Sequence, residues 1–116
     1  MLLILLLIIL DQISKYFLTT TINYGAAFSL FQGYTIFLII ASLIALIICI
    51  YYYKEKKLRL GLNFLISGII GNLIDRIFLG YVRDFINLRI FPVFNLADMF
   101  NVIGVLLIIY IHFKKK

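Results

Sequence analysis

Two aspartates in the last third of the chain have the residue type and spacing needed for acid–base chemistry. Asp84 lies in a short segment between two apolar stretches, and Asp98 lies where the second of these stretches begins. Since the connection 80–94 is short, we expect the two carboxylates to meet. Two carboxylates at hydrogen-bonding distance share a proton, and such a pair can deprotonate a water and protonate a carbonyl oxygen. The spacing therefore predicts a hydrolytic pair.

Each aspartate also has a simpler structural interpretation. Asn95 followed three residues later by Asp98 resembles a capping box, and a carboxylate suits the N-terminus of a helix. Asp84 can equally be a solvated loop acid that pairs with Arg83 or Arg89. Spacing alone leaves these interpretations open beside the catalytic one.

The composition indicates what must hold these residues in place. Of the 116 residues, 65% are hydrophobic and only 14% are charged, too few charges for a soluble domain of this size. Apolar stretches of roughly the ~20 residues that a membrane-crossing helix needs recur along the chain. We predict an all-α membrane protein, with a single polytopic domain over residues 1–116 and four transmembrane helices at about 1–20, 34–53, 60–79 and 95–113.

The basic residues predict the orientation in the membrane. They gather at 54–59 and at the tail 114–116, and such clusters mark cytoplasmic segments. Four crossings then place both termini in the cytoplasm, and segments 21–33 and 80–94, with the aspartates, at the outer face.

The same clusters explain the net charge of +6. No basic stripe with interleaved aromatics lies outside the apolar stretches, so no nucleic-acid partner is expected.

Most of the acidic residues are expected at one depth. Four of the five fall in the middle or outer half of the bilayer, and a charge there costs several kcal/mol unless it is paired or wetted, so it usually marks a site. Asp11 and Lys15 share a helix face and form either a packing ion pair or a brace for the site. Further polar residues at this depth are Asn72, Asp75, Arg76, Asn95 and Asn101. Gly68 and Gly71 favour close helix packing.

Other chemistries have less support in the sequence. A serine–lysine peptidase would combine Lys15 with Ser29 or Ser67, and metal binding by Asp84, Asp98 and Asn95 would lack His or Cys ligands. His112 is remote from the polar cluster, so a Ser/His/Asp arrangement lacks its base. A non-catalytic membrane binding or assembly protein held by packing ion pairs is the main alternative. No cofactor or metal is expected, and Cys49 is interpreted as a packing residue.

Five short motifs, in order along the chain, resemble those of the lipoprotein signal peptidases (signal peptidase II, family A8), which are bacterial membrane aspartyl proteases. The motifs are 11–15 (DQISK), 23–29 (NYGAAFS), 71–76 (GNLIDR), 82–86 (VRDFI) and 94–98 (FNLAD).

The resemblance implies an endopeptidase that cleaves diacylglyceryl-modified prolipoproteins just before the lipidated cysteine. It assigns Asp84 and Asp98 as the catalytic pair. It also implies four transmembrane helices with an extracytoplasmic β-cradle after the first helix, a place in the bacterial inner membrane among its lipids, and inhibition by cyclic peptides such as globomycin. The remaining residues that it assigns to substrate binding or support are Asp11, Lys15, Asn23, Gly25, Asn72, Arg76, Asn95 and Ala97.

Overall fold

The computed structural model describes residues 1–26 and 33–114, and within these it contains four α-helices and two short strands. In chain order they are α1 (Leu2–Leu18), β1 (Thr21–Asn23), α2 (Thr35–Tyr52), α3 (Arg59–Leu79), β2 (Val82–Asp84) and α4 (Leu96–Lys114). A 3-10 turn at Lys56–Leu58 precedes α3. The helix ends differ from the predicted stretches by at most two residues.

Three of these helices are long and apolar enough to cross a membrane: Thr35–Tyr52, Lys56–Leu79 and Leu96–Lys114. Helix α1 has 17 residues, fewer than the ~20 of a typical crossing, and it carries Asp11, Gln12 and Lys15 in its second half. Large apolar side chains face outward on the bundle; Ile36, for example, is 76% exposed. The chain is thus mostly helical with three candidate spans, and a fourth crossing by α1 remains a prediction.

Helix α3 packs against α1, α2 and α4 and forms the centre of the bundle. Small residues allow the close approach: a Cβ added to Gly71 would lie 2.5 Å from Asp11 Oδ2 and 3.1 Å from Ala97 Cβ. Gly68 likewise lies against the carbonyl of Ala97 and the side chain of Asn101. Both glycines therefore have the packing role predicted for them.

The apolar core lies between α1, α2 and α3, toward the N-terminal end of α1. Its buried members are Ile4, Cys49, Leu62, Ile66 and Ile69. The inclusion of Cys49 confirms its interpretation as a packing residue.

A two-stranded antiparallel sheet joins the segment after α1 to the segment after α3. Thr21 pairs with Asp84 and Asn23 with Val82, and Thr20 N donates to Asp84 O at 2.9 Å. The chain enters β2 directly from α3 because Gly80, at φ +80°, ends the helix in the left-handed conformation that glycine permits. This sheet brings Asn23 beside Asp84. Residues 27–29 of the predicted motif 23–29 lie outside the described residues.

Candidate active site

Asp84 ends strand β2 and is fully buried. Its Oδ1 accepts a hydrogen bond from Asn95 Nδ2 at 2.8 Å. Its Oδ2 is also buried, and no hydrogen-bond partner for it occurs within the described residues. Burial, followed by the negative charge of Asp98, raises the pKa of Asp84 to about 7, although hydrogen bonding from Asn23 and Asn95 acts in the opposite direction. One carboxylate oxygen of Asp84 is thus held by a hydrogen bond, and the other is available for a further hydrogen bond.

Asp98 lies in the first turn of α4 and is 2% exposed. Asp98 N donates to Asn95 Oδ1 at 2.9 Å, and Asn95 N donates to Asp98 Oδ2 at 3.2 Å. This reciprocal pair confirms the capping box that the sequence suggested. The other carboxylate oxygen, Oδ1, accepts from Asn72 Nδ2 at 2.9 Å. The side chain of Asp98 can therefore cap α4 and belong to the site at the same time.

The side chain of Asn95 joins the two aspartates. Its Nδ2 donates to Asp84 Oδ1, while its Oδ1 accepts from the backbone N–H of Asp98. The same Nδ2 also lies 3.1 Å from Asn72 Oδ1 and 3.2 Å from Arg83 O. One fully buried amide thus holds β2 against the start of α4, and it brings the predicted pair into one buried site.

Asn72, from the middle of α3, connects this pair to the charges behind it. Its Nδ2 donates to Asp98, and its Oδ1 accepts from Asn95 and from Lys15 Nζ at 3.1 Å. Because the partner of each amide atom is a definite donor or acceptor, the orientation of the Asn72 amide is fixed. Asn72 thereby links Lys15 to Asp98 through hydrogen bonds.

Lys15 is fully buried and contacts two carboxylates. Its Nζ lies 2.7 Å from Asp11 Oδ2 and 3.4 Å from Asp75 Oδ2, and it donates to Gly71 O at 3.1 Å. The first of these contacts is the ion pair predicted from the sequence. Asp11 Oδ1 in turn accepts from Ala97 N at 2.9 Å, one of the backbone N–H groups that the start of a helix leaves unpaired. These contacts tie α1 to both α3 and α4.

Arg83 pairs with Asp75, so the suggested pairing of Arg83 with Asp84 is wrong. Arg83 Nη2 lies 2.9 Å from Asp75 Oδ1, and both Nε and the backbone N donate to Asp75 Oδ2. Successive side chains of a strand point to opposite faces, so Arg83 and Asp84 diverge. The hydrogen bond with Asp75 raises the pKa of Arg83, which keeps it charged. Its Nη2 also donates to Gln12 Oε1 at 2.8 Å.

Arg76 and Asn101 line a groove of about 240 Å³ between α2, α3 and α4, together with Asn72. Arg76 Nη2 donates to the carbonyl of Gly25 at 3.2 Å. Within residues 1–26 and 33–114, Arg76 Nε and Asn101 Oδ1 are buried without a hydrogen-bond partner. The sequence predicts Asn101 at the same depth as the other polar residues of the site, but it does not single out Asn101 as a site residue. Its position three residues after Asp98, on the same helix face, was the available signal.

A second cavity, of about 270 Å³, includes Asp98 in its wall and is otherwise apolar. The connection before α4 and the outward side of α4 supply its remaining walls: Leu88, Phe91, Phe94, Met99, Val102 and Ile103. An apolar group beside the reacting carbonyl would fit here.

The charges of the site, which are buried except for the half-buried Arg83, nearly balance. In the part of the chain that the structure describes, the site contains three basic groups, Lys15, Arg76 and Arg83, and the four carboxylates of Asp11, Asp75, Asp84 and Asp98. A single proton on the aspartate pair would make the cluster neutral, which is the favourable condition in a medium of low dielectric. No group of three or more His, Cys, Asp or Glu side chains suited to a metal ion occurs among these residues.

The family profile and the similar sequences both indicate a single protein family. A profile described as signal peptidase (SPase) II, Peptidase_A8, matches residues 3–114. The lipoprotein signal peptidase of Clostridioides difficile is 41% identical over 97% of this chain and 93% of its own length, and that of Moorella thermoacetica is 40% identical over 93% and 88%. The lipoprotein signal peptidase of Clostridium novyi is 42% identical over 74% of this chain and 65% of its own length.

Two solved structures share this fold. A bacterial membrane enzyme determined by the in meso method at 2.3 Å resolution superposes with a TM-score of 0.86 at 30% identity, covering 98% of this chain and 86% of that one. A second such structure, at 1.9 Å resolution, gives a TM-score of 0.84 at 29% identity, covering 99% of this chain and 92% of that one. With the profile match across nearly all of its residues, the chain belongs to the signal peptidase II family.

Proposed function

We propose that this chain is a lipoprotein signal peptidase that removes signal peptides from diacylglyceryl-modified prolipoproteins, cleaving before the lipidated cysteine. Asp84 and Asp98 form its catalytic pair. The observation that carries the proposal is the single Asn95 side chain that holds both aspartates in one buried site. The names of the relatives supply the substrate class.

In the resting enzyme, the single proton of the pair is on Asp84. Burial and the charge of Asp98 raise its pKa to about 7, well above the ordinary value for an aspartate, and its Oδ2 has no hydrogen-bond partner among the described residues. Asp98 is the better-stabilised anion, because it accepts from Asn72 and Asn95 N and lies at a helix N-terminus. This division of roles makes Asp98 the general base and Asp84 the general acid.

Catalysis then follows from proton transfers between two fixed groups. Asp98 takes a proton from a water whose oxygen attacks the scissile carbonyl carbon, while Asp84 gives its proton to the carbonyl oxygen. Collapse of the tetrahedral intermediate breaks the C–N bond. The proton held by Asp98 passes to the leaving nitrogen, and one hydroxyl of the intermediate returns its proton to Asp84. The products are a signal peptide with a new carboxyl terminus and a lipoprotein whose cysteine has a free amine.

The groove lined by Arg76 and Asn101 is the proposed path of the signal peptide. Arg76 Nε is a buried donor suited to a peptide carbonyl, and Asn101 Oδ1 is a buried acceptor suited to a peptide N–H. The apolar cavity beside Asp98 suits an acyl chain of the lipidated cysteine. Cyclic peptides such as globomycin would compete for the same groove.

The membrane placement completes the proposal. Helix α1 is the fourth crossing, both termini are cytoplasmic, and the catalytic pair lies at the outer face of the bacterial inner membrane. The basic turn 54–59 between α2 and α3 and the basic C-terminal end support this orientation. Within the chain, β1 and β2 are the start of the extracytoplasmic β-cradle.

The experiment is a cleavage assay with purified protein in lipid vesicles. The expected result is cleavage of a diacylglyceryl-modified prolipoprotein, no cleavage of its unmodified precursor, and inhibition by globomycin. Asp98→Asn should lose activity by about 10³-fold or more, whereas Glu55→Gln, which removes an exposed acid from the other end of the bundle, should retain it. A folded protein that cleaves neither precursor, or cleaves both equally, would contradict the proposal.

A further inference from the structure

A large cavity in the described part of the chain lies away from the active site. It has a volume of about 530 Å³ and lies between α1, α2 and α3. Its walls come from the first turn of α1, the last turns of α2 and the first half of α3, so it lies at the end of the bundle opposite Asp84 and Asp98. Its volume is within the ~300–1,000 Å³ typical of ligand sites. The apolar walls include Ile4, Leu46, Ile50, Ile66 and Ile70.

Two basic side chains, Lys54 and Arg59, lie at the edge of this cavity. Arg59 is positioned by a hydrogen bond from its Nε to Tyr53 O at 2.8 Å, and its guanidinium lies 5.2 Å from the centre of the Tyr53 ring. Lys54 Nζ lies 4.1 Å from the centre of the Tyr51 ring. The ion pairs found within residues 1–26 and 33–114 involve only Lys15 and Arg83 as cations, so neither Lys54 nor Arg59 forms an ion pair there.

We infer that this cavity is a binding site for an anionic phospholipid, with the phosphate between Lys54 and Arg59 and an acyl chain along the apolar walls. Helices α2 and α3 are both long and apolar enough to cross a membrane, so the turn that joins them lies where head groups lie. An apolar cleft that ends in two cations outside the ion pairs of the described residues matches the two halves of such a lipid. The inference does not depend on the catalytic proposal.

The charge half of the site is tested by lipid binding to the purified full chain, measured by native mass spectrometry with phosphatidylglycerol and phosphatidylcholine. We expect retention of phosphatidylglycerol but not of phosphatidylcholine, and no displacement by glycerol phosphate. Lys54→Gln with Arg59→Gln should weaken binding roughly 25-fold, since each basic side chain near a membrane surface contributes about fivefold. Lys56→Gln with Lys57→Gln removes the same charge from the same turn, but neither residue lines this cavity, so the change should alter binding little.

The apolar half is tested without changing charge. Ile50 and Ile47 are both on α2 and are 60% and 67% exposed, but only Ile50 lines the cavity. Ile50→Trp should therefore displace the lipid, while Ile47→Trp should not, with both variants melting like the parent. If the two variants that each lose two positive charges bind the lipid equally weakly, the attraction is a diffuse surface effect, and the proposed site is wrong. Equal retention of the two lipids, or full binding by Ile50→Trp, would also overturn it.

Discussion

Replacing Lys15 by Met should strongly destabilise the protein, because it leaves buried carboxylates without their counter-charge. The change removes the contacts of Nζ with Asp11 at 2.7 Å and Asp75 at 3.4 Å, and its hydrogen bonds to Gly71 O and Asn72 Oδ1. Removing one partner of a buried ion pair costs about 3–5 kcal/mol. Asp75 keeps Arg83, so Asp11 carries most of the loss.

The assay is equilibrium unfolding in mixed micelles, followed by far-UV circular dichroism. Lys15→Met should lower the free energy of unfolding by about 3–5 kcal/mol, and Lys57→Met, at an exposed position, by no more than about 0.5 kcal/mol. Adding Asp11→Asn to Lys15→Met should restore about 1–3 kcal/mol, because the unpaired carboxylate is then gone. A loss below about 1 kcal/mol for Lys15→Met, or strict additivity with Asp11→Asn, would refute the reasoning.

Three further predictions follow from the site. Since burial raises the pKa of Asp84 from 3.8 to about 7, the folded protein keeps a proton that the unfolded chain releases between these pH values. The stability that this proton contributes is complete below pH 3.8 and is lost as the pH rises through 7. Asp84→Asn should flatten this part of the plot of unfolding free energy against pH, and an unchanged slope would contradict the raised pKa. Gly71→Ala places a methyl group 2.5 Å from Asp11 Oδ2 and should cost about 1–3 kcal/mol of stability in the same unfolding assay; a neutral effect would contradict the packing of α1 on α3. Asn101→Ala removes a buried acceptor that lacks a partner among the described residues, so it should raise the melting temperature while lowering kcat/KM about tenfold; unchanged turnover would remove Asn101 from the substrate groove.

Local features of this site were predictable from the sequence. The Asn95–Asp98 capping box and the Asp11–Lys15 pair depend on spacings of three and four residues within one helix, and both occur in the structure. The left-handed end of α3 at Gly80 depends on one residue type. The proximity of Asp84 to the start of α4 followed from a short connection.

The contacts between elements were not predictable in the same way. Whether Arg83 faces Asp84 or Asp75 depends on the pleat of β2, and β2 exists only because it pairs with β1. Asn95 bridges the two aspartates, and Lys15 makes four contacts, only because α1, α3 and α4 approach one another closely. The sequence predicts that Gly68 and Gly71 permit close packing, but which helices meet at these glycines, and how closely, appears only in the packed structure.

The most direct test of the account is the turnover of lipidated prolipoprotein by Asp84→Asn, Asp98→Asn and the double variant, measured side by side on folded protein. If the two aspartates act as one unit, each single variant should lose activity by about 10³-fold or more. The double variant should then be about as active as the less active of the two single variants. Substantial turnover by either single variant, or losses that multiply in the double variant, would contradict a shared catalytic pair.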